Sequence, residues 1–207
     1  MYLGLDLASP VRPSTYALLD GHARLLLYGD VAGAEAVLWL VREHRPHVVG
    51  IDAPLTLPAA WRCPDIPCSC GRCPEEARRS AELALARCGI PLYWTTKRSL
   101  LRGVIPWARE LAAGLVALGV CVIEVYPYGS VRRLFGRPPA RKGSRRGREW
   151  LQERLSGLVR GLPEGRLLGH DELDAVVAAY TALLWANGQA DTLGDAAEGR
   201  IVLPRAP

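Results

Sequence analysis

The sequence has very few amide and thioether side chains. Asn187 is its single asparagine, Gln152 and Gln189 its only glutamines and Met1 its only methionine. Depletion of heat-labile side chains is a thermophile trait. Lysine is scarce as well: Lys97 and Lys142 are the two lysines among 26 basic residues, so the rest are arginine. No apolar run reaches the roughly 18 residues that a membrane span needs, so no membrane partner is expected. No basic segment precedes the first apolar run, so no secretory leader is expected and the cytoplasm is the expected compartment. Glycine-rich phosphate loops are missing too. The turn after Asp6 runs Leu-Ala-Ser-Pro and the first hairpin turn has Gly21 alone, which counts against ATP-dependent phosphoryl transfer. There are no internal repeats, and nothing in the sequence specifies an oligomeric state.

What is present is an ordinary globular balance, with 49% apolar and 23% charged residues in 207. One domain over 1–207 is the natural expectation. The net charge of +5 is carried by arginine, whose planar fork suits phosphate and carboxylate and points to an anionic partner. A GC-rich coding sequence would produce the same bias.

Residues 2–8 form a short apolar run with one acid, and 14–20 and 23–29 form two runs joined by a Gly21-His22 turn, a hairpin signal. Residues 33–44 have helical periodicity, with Val37, Leu40 and Val41 on one face and Pro46 beyond the end. Residues 47–52 and 120–126 are buried-strand patterns, each carrying an acid. Between them, about 56–100 is punctuated by prolines and clustered cysteines and is expected to be an insertion, with a short helix at about 75–87. Helices are also expected at 106–118, 149–160 and 171–186, the last with an apolar face of Leu173, Val176, Val177, Tyr180 and Leu184. Residues 198–204 are expected to add a short edge strand. Strands that alternate with helices require parallel crossovers. Right-handed crossovers place 2–8, 47–52 and 120–126 side by side.

Asp6, Asp52 and Glu124 each sit at or near the end of an otherwise apolar strand. Charge is costly there unless it is paired or bound to metal. Ligand crevices in open α/β sheets lie at the carboxyl ends of strands, where three such acids can converge. Asp171 and Asp174 share one side of the last helix. Small neighbours at Ala178 and Thr181 would let that helix approach the sheet and bring Asp174 to the cluster. Each acid also has a local role open to it: turn or loop capping for Asp6 and Asp52, an arginine partner for Glu124, and, as the better reading of Asp171 alone, a helix cap. Four acids in this element order favour a common site. Hard divalent cations, Mg²⁺ or Mn²⁺, suit such oxygen ligands. Two ions about 4 Å apart can activate water and stabilise a leaving oxygen in phosphodiester cleavage.

Cys63, Cys68, Cys70 and Cys73 fall within eleven residues. Three states stay open for them, in order of preference: structural Zn²⁺ bound by sulfur alone, one or two disulfides, and free thiols or a redox cluster. Residues 132–148 hold Arg132, Arg133, Arg137, Arg141, Lys142, Arg145, Arg146 and Arg148. They are expected to form a mobile basic loop, either a solvated charge run or a grip on phosphates. Tyr126, Tyr128 and Phe135 are candidates for stacking on bases, Tyr126 more so for core packing.

GLDLA at 4–8, VGIDAPL at 49–55, IEVYP at 123–127, DELDAVVAAYTAL at 171–183 and EGRIVLP at 198–204 resemble domain-of-unknown-function family 429, described as predicted nucleases of the RNase H-like fold. Arg62, Asp65 and Lys142 also match residues common in that family. The resemblance implies an RNase H-like three-layer α/β fold, with a mixed five-stranded sheet and helices on both faces; the cysteine-rich insertion is where this sequence departs from the family. It implies a carboxylate site of Asp6, Asp52, Glu124 and Asp171 or Asp174, with Lys142 beside it. It implies metal-dependent cleavage of DNA or RNA. The alternatives are a non-catalytic nucleic-acid-binding protein on the same fold and, less favoured, an actin-like ATP-dependent phosphotransferase.

Overall fold

The computed structural model describes residues 1–66, 71, 73–99 and 101–206. Three antiparallel strands open the chain: β1 (Tyr2–Asp6), β2 (Ser14–Leu19) and β3 (Leu25–Val31). The β2–β3 turn is set by Asp20, whose carboxylate accepts from the backbone N–H of His22 and of Arg24, both at 2.8 Å. Helix α1 (Gly33–His44) follows and buries the expected Val37, Leu40 and Val41. It returns the chain to β4 (Val48–Asp52), parallel to β1 with Gly4 opposite Gly50 and Asp6 opposite Asp52. After α2 (Ser80–Arg87) and α3 (Val104–Ala117), β5 (Cys121–Val125) adds in parallel beside β4. The chain closes with α4 (Pro127–Phe135), α5 (Arg145–Ser156), α6 (His170–Ala186), β6 (Ala190–Asp195) and β7 (Gly199–Pro204).

The sheet order is β3-β2-β1-β4-β5-β7-β6. The mixed α/β arrangement is therefore as expected, but the sheet has seven strands and not five. The closing strand β7 is interior and pairs parallel with β5, while β6 takes the edge. Residues 190–195 read ADTLGD, too polar to announce a strand, and β6 forms because β7 offers it a complete antiparallel partner.

Alternation along the strands sorts the core into two layers. Leu3, Leu5, Val49 and Ile51 pack with Val37, Leu40 and Val41 of α1 and Ala108, Leu111 and Leu115 of α3. On the other face, α6 crosses β1 and β4 and packs with α4 and α5 through Val131, Leu151, Leu155, Leu173 and Val176. Helices thus cover both faces.

Within the stretch from about 56 to 100, the helix expected at about 75–87 is α2, whose Ala81 and Leu85 are buried against Ile201 and Leu203 of β7. One further expectation needs correction. The basic segment 132–148 is not one loop: α4 runs to Phe135 and α5 begins at Arg145. Pro127 at the first turn of α4, where its missing N–H is harmless, starts that helix. Ser144 caps α5 by accepting from Gly147 N–H at 3.1 Å. No helix of the described residues is long and apolar enough to cross a membrane.

Candidate active site

Glycine lets the last helix touch the sheet. A Cβ at Gly4 would lie 2.1 Å from the carbonyl oxygen of Ala175 and 2.3 Å from the nitrogen of Ala179. A Cβ at Gly50 would lie 2.8 Å from the carbonyl oxygen of Ala178. The backbone of α6 therefore rests on the backbones of β1 and β4. Asp6 and Asp52 are two residues beyond these glycines, on the same face. Asp174, beside Ala175 on α6, is brought to them. The three acids meet at the carboxyl ends of two parallel strands.

The charge in this corner is poorly compensated. The Asp6 carboxyl is pushed up to about 9 by burial, then by the neighbouring charges of Asp52, Asp174 and Asp171. That of Asp52 is pushed up to about 8 by burial and by Asp174, with Lys142 acting against the shift. Burial also raises that of Asp174, again against Lys142. Lys142 Nζ donates to Asp174 Oδ2 at 2.5 Å. Burial works against the lysine's charge, but Asp174, Asp52 and Asp6 outweigh it and raise its pKa. Lys142 reaches the acids from the short 136–144 loop between α4 and α5.

Asp171 stands apart from the three. It is exposed in the first turn of α6 and meets His170 Nε2 at 2.9 Å. The helix is capped by Glu172, which accepts from Gly169 N–H at 2.7 Å, and not by Asp171 as expected. Asp171 acts on the site through its charge, which raises Asp6, Asp52 and Asp174.

Glu124 belongs to the other face. Its strand neighbours Ile123 and Val125 pack with Ala178 and Ala182 of α6, so alternation turns Glu124 away from that helix. Both of its carboxylate oxygens accept from Arg79 Nη2 at 2.8 Å, and Oε2 accepts from Leu55 N–H at 2.8 Å. Burial raises the Glu124 carboxyl, and Arg79 and the Leu55 N–H hold the rise back. Arg79 has no solvent exposure and also faces Glu82, 3.8 Å from its Nη1. Sequence inspection missed Arg79. An arginine next to half-buried Arg78 carries no local sign of burial.

The carboxylate set fits a hard divalent cation in kind. Asp6, Asp52 and Asp174 are oxygen donors whose pKa values are raised by burial first and by neighbouring acids second. Among the described residues, however, no group of three or more His, Cys, Asp or Glu side chains is drawn to metal-binding spacing. Lys142 is the cation that Asp174 holds.

A cavity of about 590 Å³ opens over this corner. Asp6, Asp52, Glu124 and Lys142 line one part of it, and Leu85, Pro91, Leu92, Tyr93, Val104, Tyr126 and Tyr128 line the remainder. Tyr126 is held by its hydroxyl, which donates to Pro91 O at 2.8 Å.

Of the four clustered cysteines, Cys68 and Cys70 lie outside the described residues. Cys73 Sγ approaches Cys63 O at 3.8 Å. Lys97 Nζ donates to the carbonyls of Cys63 and Asp65 at 2.9 and 2.6 Å and sits 4.4 Å from the centre of the Trp61 ring. This second lysine holds the base of the cysteine segment. Arg62 and Asp65 are exposed there.

The basic segment is partly committed to internal bonds. Arg133 pairs with Asp191 at 3.3 Å, Arg145 with Glu149 at 2.7 Å, and Arg148 donates to Leu168 O at 3.2 Å. Arg137, Arg141 and Arg146 are exposed. Phe135 packs edge-on against Trp150, with ring centres 6.1 Å apart, a core contact and not a stacking surface.

The family model described as "Protein of unknown function (DUF429)" matches residues 107–199. The resemblance to that family is thereby borne out over a stretch that includes the IEVYP and DELDAVVAAYTAL motifs. No curated protein matches the chain. Solved structures are similar to it as well. "Thermus thermophilus RuvC structure" has 16% identity, covers 90% of this chain and 95% of that one, and has a TM-score of 0.46. "T. thermophilus RuvC in complex with Holliday junction substrate" has 17% identity, the same coverage and a TM-score of 0.47.

Proposed function

We propose that this chain is a metal-dependent nuclease of the RNase H-like kind, cleaving phosphodiester bonds of DNA or RNA. The observation that carries this reading is the corner formed by β1, β4 and α6. There Asp6, Asp52 and Asp174 share one ammonium group and have raised pKa values. Acids so placed are expensive without a cation. Asp6, Asp52 and Asp174 would hold an ion of the Mg²⁺ or Mn²⁺ type. Such an ion, when bound, supplies positive charge where phosphodiester cleavage develops negative charge. Lys142 would release Asp174 and turn to the substrate phosphate. Exposed Arg137, Arg141 and Arg146 flank it in sequence and add phosphate contacts. Glu124 is committed to Arg79 and anchors the wall of the cavity, so it is left out of the ligand set.

Cleavage of labelled single-stranded, duplex and four-way-junction substrates with Mn²⁺ tests this. Asp6→Asn and Asp174→Asn should each lower the rate by about 100-fold or more, the loss of several kcal/mol of charge stabilisation. No cleavage of any substrate by the native chain would overturn the reading. One observation favours a second reading, a binding protein without catalysis: Lys142 already neutralises Asp174, and the acids do not stand at ligand spacing. In that case nucleic acid binds tightly with no cleavage, and both variants bind like the native chain.

A further inference from the structure

Most of the cavity wall has no part in the carboxylate chemistry. Beyond Asp6 and Asp52 it is formed by residues such as Pro91, Tyr93, Val104, Tyr126 and Tyr128, and by Glu82. Tyr126 and Tyr128 meet edge to face, with ring centres 6.3 Å apart. The hydroxyl of Tyr126 is tied down by Pro91. Tyr93 is 70% exposed, so a large aromatic ring stands at the cavity without being part of the core.

Glu82 supplies the polar contact. It is 2% exposed. Its Oε1 is fixed by the backbone N–H and hydroxyl of Thr95 at 3.0 and 2.5 Å. Its Oε2 is buried with no hydrogen-bond partner. A buried acceptor without a donor is costly, and such groups in native structures usually have a use. The cavity thus offers aromatic faces and one oriented acceptor, next to an acid corner suited to phosphodiester chemistry. A site of this kind fits a flat, uncharged ring that carries an N–H donor and is attached to a phosphate chain.

We infer that this cavity binds one unstacked base of a nucleic-acid strand, held against Tyr93 and Tyr128 and read by Glu82 Oε2 through an amino group. The inference rests on the nucleic-acid reading above and adds a preference to it. Cytosine presents its N4 amino group, and adenine its N6 amino group, to such an acceptor. Thymine and uracil offer a single ring N–H between two carbonyls, which a carboxylate repels. The substrate is therefore a strand with a base free to leave the stack, as in single-stranded or distorted nucleic acid. Stacking on an aromatic side chain is a recurrent way to hold such a base.

The test uses the full chain with EDTA, so that binding is separated from cleavage. Fluorescence anisotropy is measured with labelled single-stranded oligo-dC, oligo-dT and an oligonucleotide of equal length made of abasic sites. The native chain should bind oligo-dC more tightly than oligo-dT. Tyr93→Ala should weaken oligo-dC binding by about tenfold, the scale of one lost base–aromatic stack, and leave abasic binding unchanged. Tyr93→Phe should bind like the native chain. Glu82→Gln keeps an oxygen for Thr95 and puts an N–H donor in place of Oε2, so it should reverse the preference of dC over dT. A native melting temperature for each variant ensures that folding is not being measured. Equal loss on base-bearing and abasic strands, or no loss on either, overturns the base subsite. If Mn²⁺ cleavage is present while these couplings are absent, only the subsite fails. If the couplings are present without cleavage, the subsite stands and the nuclease reading fails.

Discussion

On the α6 face of the sheet, Lys142, which is half exposed, pairs with Asp174 beside Asp6 and Asp52, whereas on the opposite face Glu124 closes on Arg79, which has no exposure at all. Both regions gather acids at the carboxyl ends of neighbouring strands, and they do so for different ends. Glu124 is satisfied within the chain. One guanidinium nitrogen of Arg79 donates to both of its oxygens, and a backbone N–H completes it. The aspartate region is left open: three carboxyl groups face one lysine, and burial keeps Asp6 and Asp52 protonated to higher pH than usual. A structural ion pair satisfies its charges within the chain. A site that binds a cation or a phosphate must leave some of that work to the ligand.

If this contrast is correct, removing a charge should have opposite consequences in the two regions. Arg79→Ala leaves Glu124 buried without its cation and should lower stability by about 3–5 kcal/mol, the usual effect of removing one partner of a buried pair. Asp174→Asn removes one of several crowded acids and should leave the metal-free chain as stable as before or more so. Denaturant unfolding of both variants measures this. A loss on the same scale in Asp174→Asn would mean that the aspartates are a structural network as well.

The next effect in size concerns how the open region is built. Gly4→Ala places a methyl group against the backbone of α6, 2.1 Å from Ala175 O. Forcing that contact apart should cost about 1–3 kcal/mol or more. It should also move Asp174 away from Asp6, so cleavage should fall by more than the change in stability explains. Unfolding and rate measurements on the same preparation compare the two losses. Retained activity at reduced stability would show that α6 does not need close contact to place Asp174.

The last consequence is a slope with pH. Asp6 and Asp52 are raised from 3.8 to about 9 and about 8. Between those limits the folded chain holds protons that the unfolded chain has lost. Their contribution to stability is therefore fully present below the unfolded value and is lost as pH rises through the folded values. In EDTA, melting temperature should fall from pH 5 to pH 9, and less steeply in Asp6→Asn. Mn²⁺ should raise it more at pH 8 than at pH 6, because ligands must shed their protons to bind. Identical slopes for the native chain and Asp6→Asn would remove Asp6 from the raised set.

The aspartate half of this contrast was legible before the structure, although Glu124 was expected to join it. Strand-end acids stand out in apolar runs such as YLGLD and VVGID because burial makes charge there expensive. The α6 pattern, with small residues beside Asp174, pointed to a helix that comes close to the sheet. An arginine partner for Glu124 was among the readings, but that it is Arg79 was not legible. It depends on which face of β5 the acid occupies, and on a segment 45 residues earlier in the chain. Helix α4 was hidden by its arginines, and β6 by its polarity, since each is held by packing against β7 or α6 rather than by its own pattern.

The sequence by itself determined which residues could carry the chemistry. Alternation and helical periodicity are local, and they placed Asp6, Asp52 and Asp174 at the ends of elements before any contact was known. Tertiary structure decided which acids share a site. The register between strands joined by long crossovers is set by packing across the whole sheet. A shift of one residue turns a side chain to the other face. That register put Asp6 beside Asp52 under α6 and left Glu124 to Arg79.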